Sequence, residues 1–141
     1  MKKLSAIALG ILLAFASCTT PANVSGTEGV SLISKKWNLV TMDNAPLPQN
    51  IARVPTLSFS SVTAFSGNSS CNSIGGQYLA SGTNTIVSSN VFSTKMACEN
   101  MAVEQAFLKD LNSVNRYEIS GNVLNMYNGS ALVLTFTGVD K

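Results

Sequence analysis

The chain predicts an α+β domain: a curved antiparallel sheet packed on one helix. Three observations carry this expectation. Val103, Phe107, Leu111 and Val114 recur at helical spacing and form one apolar stripe. Gly121-Asn122 and Asn128-Gly129 each separate alternating apolar runs, a strong hairpin signal. Ahead of the stripe lie several short, β-rich runs divided by Gly, Asn, Ser and Pro. Strands, then a helix, then a three-strand meander is an α+β order.

The elements follow from the N-terminus. Lys36-Trp37-Asn38-Leu39-Val40 alternates enough for a strand with Trp37 and Leu39 inward. Asp43 to Pro55 holds three prolines and reads as a loop. Thr56 to Phe59 and Thr63 to Phe65 read as short strands around a turn at Ser60-Ser61. Gly67 to Gly76 is rich in Gly, Asn and Ser and reads as irregular. Gln77 to Ala80 and Thr85 to Val87 are further strands, and Asn90 to Phe92 continues the sheet. The helix is expected from about Glu99 to Val114. Glu99 and Glu104 near its start and Lys109 later suit its dipole. Arg116 to Ser120, Val123 to Tyr127 and Ala131 to Phe136 complete the meander. In the last strand Leu132, Leu134 and Phe136 share one face.

The front of the chain has a different character. Met1-Lys2-Lys3 is basic, Leu4 to Ala16 is an uncharged apolar run of 13 residues, and Ala16-Ser17 are small. That is the layout of a secretory signal peptide. As a helix the run spans about 20 Å, short of the roughly 30 Å bilayer core. Phe15-Ala16-Ser17-Cys18 resembles the lipobox of bacterial lipoproteins, although Phe15 stands where Leu is usual. The resemblance implies cleavage before Cys18 and a diacylglycerol on its sulfur. Ordinary signal cleavage with an incidental cysteine is the alternative. Residues 1–17 are thus read as signal peptide and 18–34 as a lipidated flexible tether. Residues 35–141 are read as the domain.

Charge narrows the function classes. Nine basic residues oppose seven acidic ones in the whole chain, and Lys2 and Lys3 depart with the signal, leaving seven against seven. Nucleic-acid binding needs a basic stripe to neutralise phosphates, and none remains. There is no histidine, which removes His-dependent triads, His metal sites and the commonest general base. No acidic pair or phosphate-cradling glycine loop stands out.

Cysteine supplies the remaining chemistry. With Cys18 lipidated, Cys71 and Cys98 are left, and an oxidising envelope favours a disulfide between them. A redox pair is the alternative, since Cys98 lies near a helix start. Redox enzymes usually keep such cysteines two apart. Cys71, Met96, Cys98 and Met101 together also offer four soft sulfurs suited to monovalent copper. Met96 and Cys98 facing the core is the simpler reading. Trp37, Phe59, Phe65, Tyr78 and Phe107 read as core or as the lining of a ligand cavity.

Thr94-Lys95-Met96-Ala97-Cys98 resembles the Thr-x-Met-Ala-Cys of the META domain, the HslJ-like heat-shock lipoprotein group. Cys71-Asn72, with Gly76 and Tyr78 behind it, resembles that family's Gly-Cys-Asn-x-aromatic-x-Gly-x-Tyr. Ser70 stands in place of the glycine, and Ile74 with Gly75 points to a locally shifted loop. Trp37-x-Leu39 and the run from Glu104 to Leu124 also match. The likeness covers roughly Lys35 to Phe136. It implies a small, partly open, barrel-like antiparallel sheet with one helix packed across it. It marks Asn72, Gly76, Tyr78, Thr94 and Met96 as motif or binding positions.

The resemblance also implies an envelope role in heat or antibiotic stress, with no established catalytic activity, and the residues themselves lead to no expected cofactor or metal. The expected location is the periplasmic face of the outer membrane, or the cell surface where the host has one membrane. The implied partners are a membrane, reached through the lipid anchor, and an envelope protein or lipid ligand. The chain is read as a monomer. The fold is also similar to that of pilot lipoproteins, which hold an acyl chain or partner segment. That alternative predicts an apolar cavity between helix and sheet.

Overall fold

A computed structural model describes residues 31–60, 63–82 and 84–141. The signal peptide, Cys18, most of the tether and Ser61 of the expected turn lie outside the described residues. The fold begins one turn ahead of Lys35. Leu32–Ser34 form a short 3-10 turn, and Leu32 is buried. Trp37 Nε1 donates to the Leu32 carbonyl at 2.9 Å, so the buried indole is satisfied.

The strands are β1 (Lys35–Met42), β2 (Ala45–Pro46), β3 (Thr56–Phe59), β4 (Ala64–Asn68), β5 (Ser73–Ser81) and β6 (Thr85–Ser93). Helix α1 (Ala102–Ser113) follows, then β7 (Arg116–Ser120), β8 (Val123–Asn128) and β9 (Ala131–Asp140). All pairings are antiparallel. The order β1-β3-β4-β5-β6-β7-β8-β9 closes when β9 returns to β1, from Lys35↔Asp140 to Met42↔Leu134. The result is an eight-stranded barrel, with β2 pairing the end of β1 beyond β3.

Closure is weakest between β6 and β7, which share only the Thr85↔Arg116 pair. Ile86 N donates to the Asn115 carbonyl and Tyr117 N to the Asn84 carbonyl, and the ladder goes no further. Helix α1, which links β6 to β7, lies against this seam. The Ser88 hydroxyl donates to the Leu111 carbonyl at 3.2 Å. From the stripe, Phe107, Leu111 and Val114 join the core of the barrel, and Val103 is also buried. Phe107 meets Phe136 edge-on at 6.3 Å. Trp37, Leu57, Phe107, Leu124, Leu134 and Phe136 are wholly buried. The α+β expectation, including the partly open barrel, is what the structure has.

Four segments differ from expectation. The glycine-rich stretch 67–76 is mostly sheet, with only Ser69 to Asn72 irregular between β4 and β5. Its glycines permit close approach instead of breaking strands. A Cβ on Gly67 would sit 1.9 Å from the Thr56 carbonyl oxygen, and one on Gly76 2.8 Å from the Phe65 ring. Thr85 to Ser93 is one strand, irregular in register where Asn90 takes a positive φ of 50°. Ala45–Pro46, inside the expected loop, pairs back onto β1 through a turn at Asp43 and Asn44, both at positive φ. The helix starts at Ala102, not Glu99, and Thr94, Met96 and Cys98 ahead of it are held by the contacts described next.

Candidate functional site

The motif residues meet at the turn between β4 and β5. Ser69 N donates to the Asn72 carbonyl at 2.9 Å and closes the turn. Beneath it lies Glu104, from the first turn of α1, only 5% exposed. Its Oε2 accepts from Asn72 N at 2.8 Å and from the Ser69 hydroxyl at 2.9 Å. Its Oε1 accepts from Asn72 Nδ2 at 2.7 Å. Burial alone would raise this carboxyl's pKa. Hydrogen bonds from the Asn72 side chain and backbone, from Ser69 and from the Cys71 backbone outweigh it and hold the pKa below the usual value.

The Asn72 side chain then reaches the Thr-x-Met-Ala-Cys segment. Its Oδ1 accepts from Met96 N and from the Thr94 hydroxyl, both at 2.7 Å. Its Nδ2 also donates to the Met96 carbonyl at 3.1 Å. One amide therefore makes four hydrogen bonds, all that its two donors and two lone pairs allow. Thr94 Oγ1 accepts from Ser73 N at 3.1 Å. Cys71 and Cys98 are joined, with Cα atoms 6.1 Å apart. From the far side, Arg53 Nε donates to the Ser70 carbonyl at 3.2 Å and Nη2 to the Cys71 carbonyl at 2.8 Å. The loop ahead of β3, the turn, the segment after β6 and the helix are thus tied at one polar knot.

Cys71, Asn72, Thr94, Met96 and Cys98 come together here. Met96 contributes its backbone, while its side chain is exposed. Gly76 and Tyr78 lie elsewhere. Gly76 sits in β5 beneath Phe65. Tyr78 is core, its ring 4.8 Å from Phe59, and burial with the neighbouring Tyr117 pushes its hydroxyl pKa up. Glu104, Ser69 and Arg53 complete the knot and were not singled out for it from sequence. From sequence Glu104 reads only as an acidic residue near the helix start that suits the dipole. The one signal for its burial is its place beside Val103 on the apolar stripe.

The family model of the META domain matches residues 30–141. The chain belongs to the META domain family. Three solved structures share its fold. One is an NMR structure, 19% identical, covering 77% of this chain and 92% of its own, with TM-score 0.61. Another is the NMR structure of a protein from Burkholderia xenovorans, 21% identical, covering 78% and 85%, with TM-score 0.62. The third is the crystal structure of a DUF4847 family protein from Bacteroides vulgatus, 17% identical, covering 78% and 96%, with TM-score 0.59. At these identities the likeness is one of fold. No curated protein matches the sequence.

In this META domain the knot offers little chemistry. Glu104 is surrounded by donors and held in its charged form, so it is a weak base. Ser70 is wholly buried, its hydroxyl has no hydrogen-bond partner, and its φ is +99° in the place of the family's glycine. The two inner cysteines bind each other, which removes two of the four sulfurs a copper site would use. Among the described residues no three His, Cys, Asp or Glu side chains group around a metal-sized space.

The apolar cavity expected between helix and sheet measures about 10 Å³, lined by residues including Phe59, Phe65, Leu111 and Met126. That is about the space of one water, whereas ligand pockets run to roughly 300–1,000 Å³. An open groove of about 520 Å³ lies outside the knot, walled by Thr94, Met96, Met101 and Leu108. No helix among the described residues is long and apolar enough to cross a membrane.

Proposed function

We propose that the chain is a non-catalytic lipoprotein of the bacterial envelope, anchored through Cys18 and serving as a stress-response or binding module. The observation that carries the non-catalytic reading is the saturation of Asn72. The motif's polar atoms are engaged with one another, so the motif specifies a scaffold and leaves no poised acid, base or nucleophile. The META domain family is not known as enzymatic, which agrees with this reading. The groove beside Met96 and Met101 is the surface we assign to a partner.

Anchoring rests on the sequence Ala16-Ser17-Cys18 and its apolar leader. Two or three acyl chains, at about 0.8 kcal/mol per buried methylene, suffice for stable membrane attachment. The periplasmic face of the outer membrane is the proposed location, with the cell surface its equivalent in a host with one membrane. Labelled palmitate tests the anchor: it should enter the wild-type protein and be lost in Cys18→Ala. A protein that stays unlabelled and free in the cytoplasm would end this reading. The lipid-binding, pilot-type alternative finds only about 10 Å³ between helix and sheet among the described residues. Acyl chains co-purifying in one-to-one ratio with the Cys18→Ala protein would reinstate it.

A further inference from the structure

We propose that the outer face of the β5–β6 ribbon lies against the lipid surface to which the chain is tethered. This rests on the lipid-anchor reading and extends it to an orientation. The first observation is charge. No Asp, Glu, Lys or Arg occurs among the 41 residues from Val54 to Thr94. That stretch contains the whole of β3, β4, β5 and β6. The rest of the barrel carries Lys35 and Lys36 on β1, Arg116 and Glu118 on β7 and Asp140 on β9.

The second observation is what the uncharged side displays. On β5 and β6, Ile74, Tyr78 and Ile86 point inward and are buried. Leu79 and Val87 face each other across the ribbon and are 65% and 51% exposed. Phe92, opposite Gly75, is 66% exposed. A Cβ on Gly75 would come within 2.5 Å of the Phe92 ring, so the glycine lets the ring lie along the sheet. Between these apolar groups sits a neutral polar pair, Asn90 Nδ2 donating to Gln77 Oε1 at 2.7 Å. Single exposed apolar residues are ordinary. Three on one ribbon face with no charge among them form a patch that water does not favour.

The third observation names the occupant. The described chain begins at Ser31. Lys141 Nζ donates to the carbonyls of Ile33 and Phe59, which fixes the chain entry beside the end of β3. Ala64 at the start of β4 pairs with Gln77, and Tyr78 N donates to the Thr63 carbonyl. Leu79 and Val87 therefore lie at the same end of the barrel as the tether. From β1 to β6 is four strand spacings, about 19 Å around the wall. Twelve residues separate Cys18 from Ser31, a length whose greatest reach is about 40–43 Å. A bilayer holding the acyl chains of Cys18 is within reach. It accepts apolar side chains at its interface and takes an uncharged surface without stripping water from ions.

The test uses the full lipoprotein, purified from bacterial membranes and reconstituted into phosphatidylcholine–phosphatidylglycerol vesicles. With Cys18 acylated and Cys71 bonded to Cys98, a single introduced cysteine takes a fluorophore selectively. Leu79→Cys reports the ribbon face. Val40→Cys reports β1, which is four strands from β6 in either direction and so on the opposite wall. Quenching by nitroxide-bearing lipids should be several-fold stronger for the Leu79→Cys label. Adding Val87→Ser and Phe92→Ser should bring it down to the Val40→Cys level, with the near-ultraviolet circular dichroism of the fold retained. Equal access of aqueous iodide to both labels, in protein that floats with the vesicles, overturns the orientation alone. A Leu79→Cys label shielded from both quenchers assigns the face to a second copy or another protein and also overturns it. Protein that does not float at all overturns the anchor, and the orientation with it.

Discussion

Glu104 and Asp110 stand on the same helix, both buried, at 5% and 4% exposure, and their surroundings treat them in opposite ways. Glu104 is ringed by donors from Asn72 and Ser69, and its pKa is lowered. Asp110 has an oxygen with no hydrogen-bond partner. Burial and the nearby Asp43 carboxylate raise its pKa, against a smaller pull from Lys109. Burial does not by itself decide whether a carboxylate supports a fold. Oriented donors do. Glu104 is therefore a structural anion that gathers the motif, and Asp110 is a liability the fold tolerates.

The largest expected effect breaks the favourable side of that contrast. Glu104→Ala removes the acceptor of Asn72 N, of the Ser69 hydroxyl and of one Asn72 Nδ2 hydrogen, and leaves these buried donors short of partners. It should destabilise the domain by about 4 kcal/mol in urea unfolding, at 1–3 kcal/mol per stranded group. A loss under 1 kcal/mol would show that water replaces the carboxylate. Next comes the covalent tie. Replacing Cys71 and Cys98 with alanine frees a closed loop of about 28 residues and should cost about 3–4 kcal/mol. If the knot were only a by-product of the disulfide, Glu104→Ala would have little further effect in that background. The account expects a further loss.

Two smaller changes sharpen the contrast by acting in the other direction. Ser70→Gly relieves a positive φ and removes a buried hydroxyl without a partner, and should stabilise by about 1–2 kcal/mol. Asp110→Asn should stabilise by about 1 kcal/mol at pH 7, and its pH dependence is diagnostic. Asp110 has a raised folded pKa, so its contribution is favourable below its unfolded pKa and is lost as pH rises through the folded one. The advantage of Asp110→Asn should therefore shrink as pH falls through that raised value. Glu104 has the opposite sign. Its stabilisation is complete above its unfolded pKa and is lost as pH falls through the lowered folded one. Urea midpoints measured from pH 7 to 3 separate the two.

The meander was legible in the sequence because its instructions are local. Gly121 and Gly129 adopt the positive φ that their Asn neighbours and alternating flanks call for, and the register follows from those turns except at the shift between Met126 and Tyr127, where Val133 is buried and Leu132, expected on the face of Leu134 and Phe136, is only half-buried. The helix stripe was legible for the same reason. The glycines at 67, 75 and 76 were not, because a glycine that lets a carbonyl or ring approach looks identical in sequence to one that turns the chain. Glu104 was hidden by distance. Its partners lie 32 and 35 residues away, and a charged residue in a first helical turn has an adequate local explanation in the dipole. Cys71, Asn72, Thr94, Met96 and Cys98 could be marked as a motif, whereas their convergence on a carboxylate required the barrel to place them.

The most direct measurement is a carbon-13 NMR titration of the side-chain carboxyls of Glu104 and Asp110 in the oxidised protein. The account predicts that Glu104 stays ionised to a pH below that of an ordinary glutamate, while Asp110 takes up its proton above the range of an ordinary aspartate. A Glu104 that titrates at or above its usual value would contradict the claim that the motif is assembled around a buried anion.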